Sequence, residues 1–207
     1  MASLKLPAQM PFQLVAGHPA LDLVNTLDNR FLETGPDELL GSYDDVLRFT
    51  RQSGLLTERQ ARSLERLQAS DAERAEVLQQ VKEVRETLAA ILYAQVDRKE
   101  IPAAALVALE KYLKLADSHR HLATDQQQVT WKWRSLDCEV AAPLWLLAQA
   151  AADFLLSGRL PQLRLCASDT CRWLFVDTSK NHTRRWCDMK VCGNRMKARR
   201  YHARRAE

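Results

Sequence analysis

The chain has 207 residues, 46% hydrophobic and 27% charged, with a formal net charge of +4, which is enough to bury a sizeable core in one domain or two. Residues 1–13 hold one lysine and no apolar run of signal-peptide length, and the most apolar stretch, 140–156, is broken by Pro143, Gln149 and Asp153, so neither an export signal nor a membrane span is expected. That reading places the protein in the cytoplasm, where five cysteines argue for metal binding rather than disulfides.

Gly17-His18-Pro19 reads as a turn into a short buried helix, because Leu21, Leu23, Val24 and Leu27 form an apolar stripe and proline suits a first helical turn. Asp22, Asn25 and Asn29 would line the other side with Arg30 close behind. Such a polar face is usually solvated or used in capping, but His18, Asp22, Asn25 and Arg30 are also the candidate contacts for a small-molecule effector. Ser42 can cap a helix running to about residue 52, Thr57 with Gln60 a second to about 68, and Asp71-Ala72-Glu73 opens the longest pattern, through Val77, Val81, Val84, Leu88 and Leu92 to about 96. Pro102 starts another, ending near Asp117.

The period then changes. Val129, Trp131 and Trp133 alternate with Thr130, Lys132 and Arg134, and with a turn at Asp125-Gln126 they predict a hairpin whose tryptophans pack onto the helices. His119 and His121 lack ligand-spaced neighbours and read as surface residues. Asp137 is expected to cap an apolar helix over 140–156 that is central to the first domain, with Cys138 a buried structural thiol at its start.

The remaining cysteines, Cys166, Cys171, Cys187 and Cys192, are spaced C-x4-C-x15-C-x4-C. Two close thiolate pairs across a loop of hairpin length can close a tetrahedron around one structural zinc ion, an iron–sulfur cluster or redox dithiols being the alternatives. The strand Leu163–Cys166 enters the first knuckle, the chain returns through Arg172–Asp177, and a basic helix begins at the last ligands, the order of a treble-clef-like finger. Cys166–Glu207 carries eleven Lys and Arg against four acids, +7, leaving −3 for the rest of the chain. A zinc–tetrathiolate contributes −2, so about +5 remains to attract a polyanion. On a helical wheel Met196 and Ala203 face the ligands, Lys197, Arg200 and Arg204 form an outward ridge, and Arg195, Arg199 and His202 line the opposite flank. Arg184, Arg185, Lys190 and Arg205 add charge, Asn194 has the amide that can pair with adenine, and Arg195 and Arg172 are placed to offset the thiolates.

Cys166-x4-Cys171, Arg184-Arg185-Trp186-Cys187-Asp188-Met189 and Cys192-Gly193-Asn194-Arg195-x-Lys197-x-Arg199-Arg200 resemble the zinc finger of the bacterial CGNR family, and Gly17-His18-Pro19-Ala20-Leu21-Asp22-Leu23-Val24-Asn25-Thr26 is similar to the start of the ABATE domain that precedes that finger. The resemblance implies a stress-related transcription regulator whose finger binds DNA. The expected architecture is mainly α: residues 1–160 a helical domain with a small β-hairpin that dimerises or senses an effector, and residues 161–207 a four-cysteine finger holding one Zn2+. The expected partner is double-stranded DNA, with no membrane and a nucleoid-associated cytoplasmic location. An RNA-binding or ribosome-associated module is the alternative, with Tyr201 and His202 available to stack on unpaired bases. An enzyme built on His18 and Asp22 finds no complete nucleophile–base set, so no catalytic residue is assigned.

Overall fold

The computed structural model describes residues 11–206, except the side chains of Arg200 and 202–206. The expectation of no export signal, read from residues 1–13, falls mostly outside the described residues, as do the side-chain roles read for Arg200, His202, Ala203, Arg204 and Arg205.

Helix α1, Pro19–Val24, starts where His18 accepts the Ala20 amide through Nδ1 at 3.2 Å, with Pro19 in its first turn. A two-residue ladder follows, β1 Leu27–Asp28 against β2 Asp37–Glu38. Arg85 fastens that loop to the long helix: 3% exposed, it donates to both oxygens of Glu38 at 2.7 and 2.8 Å and to Glu86 at 2.9 Å. Helices α2 (Tyr43–Gln52), α3 (Glu58–Glu65) and α4 (Asp71–Val96) each open on a reciprocal capping box, Ser42 with Asp45, Thr57 with Gln60 and Ser70 with Glu73, so local side chains satisfy the first orphan amides. Helix α5 is Ala103–Asp117.

Helix α6, Ala142–Leu156, lies at the centre and packs against α1, α2, α4 and α5. Leu144, Leu147, Ala148, Ala151 and Phe154 are at most 1% exposed, consistent with an apolar wrap on most sides. Its start differs from expectation. Ala141 occupies the cap with no side-chain bond, while Asp137 reaches towards Arg59 at 3.9 Å. Pro143 in the first turn supplies the preset φ instead, where its missing N–H costs nothing. Cys138 is exposed, its thiol directed at the Ser135 carbonyl 3.6 Å away, so it is not a core thiol.

Strands β3 (Arg120–Asp125) and β4 (Gln128–Trp133) form the hairpin, turning at Gln126 and Gln127, both at positive φ. Its apolar face meets the core only through Trp133. Leu122, Val129 and Trp131 are 62%, 71% and 55% exposed, and only Trp133 is half-buried. Arg120 takes the covering role: it lies 4.8 and 5.4 Å from the centres of the Trp131 and Trp133 rings and donates to Gln149 of α6 at 2.7 Å. His119 stacks on Trp145 of α6 at 3.5 Å and His121 is half-buried, so neither is simply a surface residue.

Beyond a short 3-10 turn at Leu160–Gln162, β5 (Leu163–Leu165) pairs with β6 (Leu174–Val176), and a π-helical turn at Met189–Gly193 leads into α7 (Asn194–Ala206). The core runs without a break from Ala16 through α6 to Trp173, Leu174, Phe175, Val176 and the four clustered cysteines. The apolar residues of the finger therefore share one core with the helices.

Candidate metal centre and cationic helix

The first knuckle continues the β5–β6 hairpin. Cys166 donates its amide to the Trp173 carbonyl at 2.8 Å, and the turn closes on the Ser168 carbonyl, which accepts the amides of Cys171 at 3.0 Å and Arg172 at 3.2 Å. Arg172 completes the reversal at φ 53°. The second knuckle is a tight helical start in which the Asp188 carboxylate accepts the amides of Lys190 at 2.6 Å and Val191 at 3.1 Å. A Cβ on Gly193 would lie 2.5 Å from Met189 Sδ and 3.3 Å from Trp186 Cδ1, so glycine lets the helix start close over Trp186. Between the knuckles Asp177, fully buried, gathers the loop by accepting from the Ser179 hydroxyl at 2.6 Å and amide at 2.9 Å and from the Arg184 amide at 3.0 Å; the Ser179 bond foremost holds its carboxyl below the usual range.

All four Sγ atoms lie within 4.8 Å of one another, with Cys171–Cys187 and Cys187–Cys192 at 3.6 Å. A tetrahedron with metal–sulfur bonds of about 2.3 Å has edges of roughly 3.8 Å. The four thiols therefore fit a tetrathiolate site, and the cysteines read from spacing are the ones brought together.

What attaches the finger to the helices is the face read as a ligand surface. Buried Asn25 accepts the Leu174 amide through Oδ1 at 3.0 Å and donates to the Leu174 carbonyl through Nδ2 at 2.9 Å. Val176 donates to the Ala16 carbonyl at 2.9 Å, so the outer edge of β6 is paired by the helical region where a third strand would otherwise lie. Ala16 is in turn fixed by its amide bond to Asp22 Oδ1 at 3.0 Å; burial pushes the Asp22 carboxyl up to about 6. Trp173 Nε1 donates to Asp28 at 2.7 Å. His18 caps α1 and packs on Phe154 with ring centres 5.1 Å apart, its pKa lowered by burial and by Arg159. Asp22 and Asn25 thus spend their polar atoms inside the protein, because the β6 edge must be satisfied there. Arg30 instead pairs with Glu86 beside an open cavity.

The cationic candidates divide as well. Arg185, Lys190, Asn194, Arg195, Lys197 and Arg199 are exposed. Asn194 Nδ2 donates to the Lys190 carbonyl at 3.0 Å, which engages one of its two N–H donors, and Arg195 lies close enough to Asp28 to lower its pKa, although burial leaves that pKa raised overall. Arg184 is not a surface cation. Its guanidinium donates to the carbonyls of Trp186 at 2.9 Å, Val15 at 3.3 Å and Cys187, and lies 4.5 Å from the Phe175 ring centre. Free carbonyls of the second knuckle need a donor, and the motif supplies one whose position alone does not distinguish it from Arg185. Arg185 stands 5.4 Å from the Trp186 ring centre, beside a cavity of about 340 Å³.

Two family models match the chain. Residues 17–158 match the ABATE family model, described as "Putative stress-induced transcription regulator", and residues 162–205 match the CGNR zinc finger. No curated protein sequence matches the chain. With the first match covering most of its length, the chain belongs to the ABATE family and carries a CGNR zinc finger behind that domain.

Proposed function

We propose that the protein is a transcriptional regulator that binds duplex DNA through α7, with one structural zinc ion on Cys166, Cys171, Cys187 and Cys192. The observation that carries this reading is the set of cations at Arg185, Lys190, Arg195, Lys197 and Arg199, left exposed on and just before a helix that starts at the metal centre. Lys197 and Arg199 hold phosphates, and Arg195 and the Asn194 carboxamide are offered to base edges. Arg200, Arg204 and Arg205 extend the same basic run. Zinc supplies no catalysis in this reading, since four thiolates fill a tetrahedral ion and leave no position for substrate or water. The protein acts without an enzymatic step, in the cytoplasm and on the nucleoid, and the helical region sets the finger's orientation and senses an effector.

The test is a salt titration of duplex binding by the zinc-loaded protein. Lys197→Ala with Arg199→Ala should weaken binding and reduce the slope of log K against log salt by about 0.9 per lost contact. An unchanged slope refutes the helix as the DNA surface. Structured RNA is the second ligand to measure, because the Arg185–Trp186 pair and exposed Tyr201 form faces on which unpaired bases can stack. Tighter binding to RNA than to duplex DNA under the same salt would replace the DNA reading.

A further inference from the structure

Between α4 and the first knuckle lies a cavity of about 380 Å³. Phe31 and Tyr93 wall it edge to face, ring centres 5.2 Å apart, and Ala89 and Ala90 of α4 leave its floor open. Arg30, Glu86, Asp97 and Arg172 supply its charges. The acids are already engaged: Glu86 by Arg30 and by Arg85, and Asp97 by Lys99 at 3.0 Å. Arg172 is different. Its guanidinium lies 5.1 Å from the centre of the Phe31 ring and pairs with no carboxylate among the described residues. The Nε atoms of Arg30 and Arg172 are both buried without an acceptor, an arrangement that costs free energy until one is supplied.

The two aromatic faces each already have a guanidinium near them, Arg172 by Phe31 and Arg30 at 6.0 Å from the Tyr93 centre, so a cationic ligand meets like charge. A carboxylate meets complementary charge and matches the planar edge of a guanidinium with its two oxygens. We propose that this cavity binds a small organic carboxylate with a flat apolar body, the carboxylate on the Arg172 guanidinium beside Arg30 and the body against Phe31 and Tyr93.

The site is placed to act on the finger. Arg172 directly follows the metal-ligand candidate Cys171 at positive φ, and the Tyr93 hydroxyl donates to its carbonyl at 3.4 Å. The next residue, Trp173, is held by Asp28. A ligand that orders the Arg172 side chain therefore bears on the turn that presents Cys171. Only this coupling rests on the effector and DNA reading given above; ligand binding is measured without DNA, so the two fail separately.

The probes are benzoate and phenylacetate, with benzamide as the uncharged control, titrated to about 10 mM into the full-length zinc-loaded protein. The readout is the amide NMR shifts of Phe31 and residues 89–93. Saturable shifts with the carboxylates and none with benzamide are expected. Arg172→Gln should weaken binding roughly ten- to a hundredfold, with zinc content measured alongside. Ala90→Trp, at an exposed helical position that leaves the fold intact, should block the cavity and abolish the shifts, and it carries the test should Arg172→Gln not fold. No saturable shift with either carboxylate, an equal response to benzamide, or undiminished binding by Ala90→Trp overturns the proposal. Carboxylate binding in a protein with no affinity for DNA would sustain the site and refute the DNA reading.

Discussion

Replacing Asn25 by alanine tests whether the helical region holds the finger through one carboxamide. The substitution removes bonds of 2.9 and 3.0 Å to the backbone of Leu174, a residue with no exposed surface, and strands a buried N–H and C=O. Each stranded group costs about 1–3 kcal/mol, so a loss of about 3–4 kcal/mol is expected. For a chain of this size that lowers the melting temperature by roughly 6–16 °C. The assay is thermal and urea unfolding of the zinc-loaded protein, with the rate of zinc transfer to a chelator followed in parallel, since a loosened β6 edge frays the first knuckle. Asn25→Asp sharpens the test. It keeps an acceptor for the Leu174 amide but sets a carboxylate oxygen against the Leu174 carbonyl, so its carboxyl pKa is raised in the folded state. Its added stability is then full below the unfolded value of about 3.9 and lost as pH rises through the folded value. A cost below about 1 kcal/mol for Asn25→Ala, with zinc retained, would refute the reasoning.

Two further substitutions separate structural from exposed charge. Burial raises the Asp22 carboxyl from 3.8 to about 6, so its contribution is full below 3.8 and lost as pH rises through 6. The stability difference between wild type and Asp22→Asn should therefore fall by about 3 kcal/mol across that window, and a flat difference in urea unfolding between pH 4 and 7 would count against it. Arg184→Ala removes donors to the Val15, Trp186 and Cys187 carbonyls. It should cost about 2–3 kcal/mol and speed zinc loss while leaving the salt slope of nucleic-acid binding unchanged; a reduced slope would return Arg184 to the phosphate-contacting set.

The amino-acid sequence by itself determined the elements and the metal donors. Capping boxes at Ser42, Thr57 and Ser70 and the apolar periods behind them act over three or four residues, and the cysteine spacing carries the tetrathiolate because four soft donors need only two tight turns and a hairpin between them. Only the tertiary structure decided which side of an element meets protein and which meets water. Trp131 has the alternation of a core strand, yet it is 55% exposed, with the Arg120 guanidinium rather than a helix 4.8 Å from its ring centre. Arg184 and Arg185 are adjacent and chemically alike, yet one is spent on buried carbonyls while the other remains on the surface. The polar residues after Gly17-His18-Pro19 had the look of a solvated or ligand-binding face, but Asn25 finds its partner at Leu174, 149 positions away. No local period encodes such a pair: the need arises only when the edge of β6 is buried against α1, and a side-chain amide with one donor and one acceptor is what a lone strand edge requires.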